Sequence, residues 1–98
     1  MFRFEAPLWR WTSRASFHTF VTLPADVEDA VLAIAGDLLN GWSSVRVDAQ
    51  IGKTRFRTSL FPLSEANGYV LPVKRAVRDS EEFGVGDSVS VSLVLVDF

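Results

Sequence analysis

Three cations, Lys74, Arg75 and Arg78, crowd one short segment, and three acids, Asp79, Glu81 and Glu82, follow at its far end. Val73, Ala76 and Val77 recur there at helical spacing, which predicts a short helix over about 73–81. Cations in a first turn oppose the helix dipole by about 0.3–1 kcal/mol each when exposed, and acids at the last turn oppose it too. A helix charged backwards suits an anion held by its N-terminus and these side chains. The ordinary alternative is solvated charge, with Arg78 paired to Asp87 or Asp79. Thr58, Ser59 and Tyr69 extend the ligand expectation as polar lining between the two halves of the fold, against the commoner case of a Thr bonded to backbone. A second basic group, Arg46, Arg55 and Arg57 with Lys53 at a turn, lies on the outward faces of two strands. It offers a stripe for nucleic-acid phosphates, or else cross-strand pairs with Asp48 and Gln50.

Other chemistry is poorly supplied. The chain has no cysteine and one histidine, His18, so disulfides, thiolate nucleophiles and transition-metal sites are not expected. His18 lies between Phe17 and Phe20 and reads as structural. No serine stands in a Gly-x-Ser-x-Gly elbow. Gly84-Val85-Gly86 lacks the third glycine of a dinucleotide fingerprint and precedes a strand. A carboxylate such as Asp48 or Glu65 near an arginine is the one general base on offer. No cofactor is expected.

The elements that must position these residues follow from periodicity. At 98 residues the chain reads as one domain over 1–98. Phe2 to Trp11 alternates as a strand, with Pro7 suggesting an edge or a bulge. A turn at Thr12-Ser13-Arg14 leads to a second strand, Ala15 to Leu23. Leu23-Pro24 then opens the longest helix, about 25–39. Asp26 is its expected cap, Val27, Val31, Ile34, Ala35 and Leu38 its apolar stripe, and Asn40-Gly41 its stop. Val45, Val47, Ala49 and Ile51 point inward on a strand spanning Ser43 to Ile51. Its partner, Thr54 to Phe61, is followed by a loop from Pro62 to Gly68. Tyr69-Val70-Leu71 is a strand ended by Pro72, and after Asp87 come Val89, Val91, Leu93 and Leu95 on one face. Trp9, Trp11, Trp42, Phe56 and Phe61 are expected in the core, the first two capping one end of it. An exposed tryptophan pair would instead mark a partner surface.

Phe20-Val21-Thr22-Leu23-Pro24 with its helix echoes Tyr69-Val70-Leu71-Pro72 with its helix. The echo predicts a degenerate duplication, two strand–helix–strand units closing one pseudo-two-fold barrel.

Two resemblances bear on this. Leu71, Pro72, Arg75, Arg78, Gly86 and Asp87 resemble the AbrB-type swapped hairpin over about a quarter of the chain, which implies DNA binding by a transcription regulator or antitoxin. The whole chain, from about Phe2 to Val96, is similar to a bacterial domain-of-unknown-function family, number nineteen-oh-five. The markers are Phe20-Val21-x-Leu23-Pro24, Val47-x-Ala49-x-Ile51-Gly52, Thr58-Ser59-Leu60, Leu71-Pro72-Val73-Lys74, Val77-Arg78 and Gly86-Asp87. That resemblance implies a small, mainly β, double-split barrel and occasional fusion to an OmpD-associated-type domain, absent from this chain. It implies no activity. Ser64-Glu65-Ala66-Asn67 departs from the glycine-richer loop expected of the family.

The expected function is a non-enzymatic binding module for a small anionic ligand or a protein partner, with AbrB-like DNA binding as the alternative and an enzyme last. The formal charge of −2 weighs against DNA. No apolar run suits a membrane span and the first residues lack signal-peptide organisation, so a cytoplasmic monomer or weak homodimer is expected.

Overall fold

Alternation of apolar and polar residues dictates the strands, and two helical stripes supply the remaining cover. A computed structural model describes residues 1–13, 16–36 and 44–96. The chain runs β1 (Phe2–Ser13), β2 (Ser16–Thr22), α1 (Ala25–Ala35), β3 (Val45–Ile51), β4 (Thr54–Leu63), β5 (Gly68–Pro72), α2 (Arg75–Glu81) and β6 (Ser88–Leu95). A 3₁₀ turn, Ser64–Ala66, joins β4 to β5. The strands form a closed barrel in the order β1-β2-β5-β4-β3-β6. It is mainly β, with a longer and a shorter helix, as the alternation and the resemblance predict.

Every strand has two neighbours, and two strands change from one to the other midway. Phe2–Pro7 of β1 pairs with β6, and Leu8–Ser13 pairs with β2. Likewise Val45–Ile51 of β3 takes Thr54–Leu60 of β4, and β5 takes Phe61–Leu63. Both prolines of these strands sit at the handover. Leu8 bonds toward β6, donating to Asp87 O at 2.9 Å and accepting from Gly86 N, so Pro7 faces the opposite side, where the pairing with β2 has already ended at Val21. Its missing N–H removes no ladder bond. Tyr69 turns its carbonyl to Leu23 N at 3.0 Å, so Pro62 opposite it also needs no donor toward β5. That is why β4 runs through Pro62 to Leu63 where a loop is predicted.

The interior is one cluster. Leu8, Val21, Val45, Val47, Ile51, Leu60, Leu71, Val89, Val91 and Leu93 are all at 1 % exposure or less. Val27, Val31 and Ala35 of α1 join that cluster, as do Val73 and Val77 at α2. A closed barrel is open only at its ends, so the helices stop them. Ile34 departs from the predicted stripe and is 53 % exposed, and Ala76 is exposed too. No side chain caps α1. Its N-cap residue is Pro24, whose fixed φ of −58° suits the entry, so Asp26 does not take that role. The expected helix stop at Asn40-Gly41, and Leu38 and Trp42, lie outside the described residues.

The predicted duplication is visible in the topology. Exchanging β1 with β4, β2 with β5 and β3 with β6 reproduces the same ring of neighbours. The register differs from the Leu-Pro echo, however. A shift of 50 residues carries Pro24 to Lys74, the two N-caps, and Ala25 to Arg75, the two helix starts. It also carries the bond Leu23 N to Tyr69 O onto the bond Val73 N to Thr19 O, and Glu28 N to Pro24 O onto Arg78 N to Lys74 O. Leu71-Pro72 therefore corresponds to Val21-Thr22, and the two Leu-Pro pairs are not equivalent. Pro24 starts a helix whereas Pro72 is the last residue of β5.

Leu71→Ala is expected to cost about 2–5 kcal/mol of unfolding free energy, whereas Ile34→Ala stays within about 0.5 kcal/mol. Denaturant titration of the two variants tests whether α1 turns the Val27–Val31–Ala35 edge inward.

Candidate functional site

Phe17, Thr19 and Val21 alternate on one face of β2, toward the interior. Val21 is in the core. Thr19 lies one step nearer the barrel mouth and is 4 % exposed, the only buried polar side chain among the described residues. The other wall comes from α2. The strand end Pro72 and the turn Val73-Lys74 bring the helix over this mouth, and Arg78 faces back one turn later. Phe17, His18, Thr19, Pro72, Val73, Lys74, Arg75 and Arg78 line an open cavity of about 210 Å³.

Two polar atoms beside that cavity lack a partner. Thr19 Oγ1 and Arg78 Nε are both buried and make no hydrogen bond. Each costs on the order of 1–3 kcal/mol if left unanswered. The pairing that would have made Arg78 an ordinary structural charge is taken by others. Asp79 meets Arg75 at 3.4 Å, both well exposed, and Asp87 Oδ2 accepts Gly84 N–H at 2.8 Å. Arg10 adds charge at the rim, its guanidinium 4.8 Å from the Phe17 ring centre. The pocket is thus lined by residues that carry cations and a hydroxyl, with the two unanswered atoms buried beside it.

Lys74, Arg75 and Arg78 lie together along this cavity. Thr58, Ser59 and Tyr69 do not line this cavity. Thr58 and Ser59 lie on β4 opposite Val47 and Arg46. Tyr69 N–H donates to Glu28 Oε1 at 2.5 Å, and its phenol is pushed above its ordinary pKa by burial and then by the Glu28 charge. α2 has seven residues, too short for its N-terminus to carry the anion expectation, so the case rests on side chains. Sequence reasoning passed over Thr19, His18, Phe17 and Arg10 as site residues. The available signal was Thr19 itself, a polar residue on an apolar strand face.

The strand arginines behave as the paired alternative. Arg57 Nε donates to Asp48 Oδ1 at 2.7 Å and its Nη2 to Oδ2 at 3.2 Å, and Arg55 Nε donates to Gln50 Oε1 at 3.3 Å. The Arg57 bond, helped by the charges of Arg57 and Arg46, holds the Asp48 carboxyl below its ordinary range. A groove of about 450 Å³ includes Asp48, Gln50, Arg55 and Arg57. It is larger than the cavity at Arg78, but these polar groups already answer one another. Lys53 sits exposed at the β3–β4 turn.

The aromatic residues divide. Phe56 packs against the core. Trp9, Trp11, His18, Phe20 and Phe61 instead form an outer cluster around Phe20, with ring centres 5.6–6.5 Å from it. Trp9 Nε1 donates to Thr22 Oγ1 at 2.8 Å, and both tryptophans are half-buried. They do not cap the core. His18 stacks on Trp11 at 5.9 Å, a structural placement that also sets one cavity wall. Among the described residues no group of three or more His, Asp or Glu could hold a metal. No helix among them is long and apolar enough to cross a membrane.

Two outcomes follow. Thr19→Val removes an unanswered hydroxyl without changing shape, so the ligand-free protein is expected to gain on the order of 1 kcal/mol in denaturant unfolding. Arg57→Ala is expected to return the Asp48 pKa toward 3.8, read by carboxyl NMR titration. A carboxylate depressed in the folded state stabilises above its unfolded pKa, and that contribution is lost as pH falls through the lower folded value. The variant therefore loses stability above about pH 4 relative to wild type and converges with it in stronger acid.

No curated protein matches the chain. A family model described as a domain of unknown function, DUF1905, matches residues 4–93. The chain belongs to that family.

Proposed function

We propose that this DUF1905 barrel is a non-enzymatic binding module whose ligand is a small anion, seated in the cavity between β2 and α2. The observation that carries the reading is the pair of buried, unanswered polar atoms, Thr19 Oγ1 and Arg78 Nε, beside one cavity. Buried donors are almost always satisfied in folded proteins, and an exception calls for a partner. Lys74 and Arg75 at the mouth, and Arg10 above Phe17, supply an attractive field. Arg78 is the anchoring donor and Thr19 the second. The rest of the site is a wall, with no nucleophile and base in contact.

Duplex DNA on Arg46, Lys53, Arg55 and Arg57 has weaker support. Arg57 and Arg55 are engaged with Asp48 and Gln50, and an acidic carboxylate in the stripe repels phosphate.

Thermal unfolding at low salt with phosphate, sulfate, small carboxylates, nucleotides and short duplex DNA tests both readings. A small anion is expected to raise the midpoint, with about 2.7 kcal/mol of added stability at a hundredfold excess over its Kd. Arg78→Ala is expected to abolish the shift. A shift from DNA alone, lost on Arg55→Ala, would replace this reading with the nucleic-acid one.

A further inference from the structure

The pseudo-two-fold places a second copy of the candidate cavity on the other half of the barrel, and that copy is filled. Under the shift of 50 residues Thr19 corresponds to Tyr69, His18 to Gly68 and Arg78 to Glu28. Glu28 occupies the second helical turn position that Arg78 occupies, each receiving its helix bond from the N-cap carbonyl. On that side the Glu28 carboxylate reaches back and accepts the Tyr69 N–H at 2.5 Å. Gly68 makes room for it, since a Cβ there would come within 2.6 Å of Glu28 Oε1.

The same backbone donor exists in the open half. Thr19 turns its carbonyl to Val73 N at 2.9 Å, as Tyr69 turns its own to Leu23 N. In a strand the N–H and C=O of one residue point to the same side, so the Thr19 N–H aims toward α2. There the helix presents Arg78 instead of a carboxylate. Thr19, with its N–H and hydroxyl, and Arg78 thus hold the positions that Tyr69 and the acid hold in the sister half, and His18 stands where Gly68 makes room for Glu28.

Resting on the anion reading above, we infer that the ligand's head group is a carboxylate, which answers the Thr19 N–H and Arg78 in the open half as the Glu28 carboxylate answers the Tyr69 N–H in the closed one, set off from the equivalent place by the Cβ that His18 carries. Two oxygens serve three donors, and about four lone-pair sites are available on an ionised carboxylate. The chain therefore carries one seat with a tethered occupant and one seat for a free occupant. The carboxylate belongs to a small organic acid or to the end of a peptide, chemistry that a cavity of about 210 Å³ admits.

Amide and guanidinium NMR spectra of the ¹⁵N-labelled protein provide the test, titrated separately with acetate, propionate, inorganic phosphate, sulfate, and trialanine with a free or an amidated C-terminus. Acetate and propionate are expected to shift the Thr19, Val73 and Arg78 signals saturably, with phosphate and sulfate at least about tenfold weaker. Arg78→Glu tethers an acid as in the sister half, and it is expected to lose acetate binding while moving the Thr19 amide as the ligand does. Arg78→Gln, which keeps shape and polarity, guards against a folding failure and is expected to weaken acetate by about tenfold. Free trialanine binding well above acetate, with its amide silent, would support the inference and assign a peptide end as the source. Equal binding of acetate and trialanine would support it with a small acid as the source. Saturable shifts from phosphate or sulfate without carboxylates would overturn the carboxylate inference and leave the anion site standing. Silence from every anion would overturn both.

Discussion

Two strands that change partners midway hold this barrel shut. β1 leaves β6 for β2 at Pro7–Leu8, and β4 leaves β3 for β5 at Leu60–Phe61. With only one partner each, the sheet would open into two pieces with four exposed edges. The handover makes every strand an interior strand, so the apolar faces of all six meet in one core. Prolines are tolerated in both strands because each faces the side on which pairing has ended or not yet begun. The helices then have one place to go, the mouths of the barrel, and their positions follow from the strands they leave.

The near-symmetry of the two halves makes their differences meaningful. α1 is longer than α2, eleven residues against seven. The longer helix carries Glu28, which closes its own mouth against Tyr69 and Gly68. The shorter helix carries Arg78 at the matching position. Its far end is clasped instead to the β3–β4 turn, where Thr54 Oγ1 donates to Glu81 Oε2 at 2.7 Å and meets Ser80 Oγ at 3.0 Å. α2 is thus fixed at the end away from the cavity, and Arg78 is held over Thr19 without a partner of its own. Two unanswered buried polar atoms thus fall at one mouth and none at the other among the described residues, a difference that calls for a partner.

Much of the architecture was legible because strand alternation is a strong signal. Val45 to Ile51 and Val89 to Leu93 announce their inward faces residue by residue. The duplication was legible in kind but misread in register. Proline suits both a helix start and a strand end, so Leu23-Pro24 and Leu71-Pro72 look alike while occupying positions two residues apart in the repeat. Ile34 misled because a helix at a barrel mouth buries a narrow edge, and the wider stripe that periodicity predicts has nothing to cover. At the site, the cations were evident from their spacing. Thr58, Ser59 and Tyr69 were grouped with them by polarity alone, which cannot report which mouth a strand faces. Thr19 went unnoticed because a lone threonine between Phe17 and Val21 differs little from a valine until its hydroxyl is seen to have no acceptor.

The position of β6 in the ring has a consequence for how the chain comes to be folded. It is the last strand in sequence, yet it lies between β1 and β3, pairing Phe2 with Leu93 and Ile51 with Val91. Until it emerges from the ribosome, β1 and β3 face one another across a gap as unpaired edges. The barrel therefore closes late, through contacts between residues about ninety apart, a topology that folds slowly and leaves sticky edges open in the interval. Early helix formation at α1 and local pairing of β3 with β4 can shelter part of that surface. The seam itself waits for the final strand, which makes the β6 insertion the step at which a nascent chain is most open to chaperones and to its own neighbours.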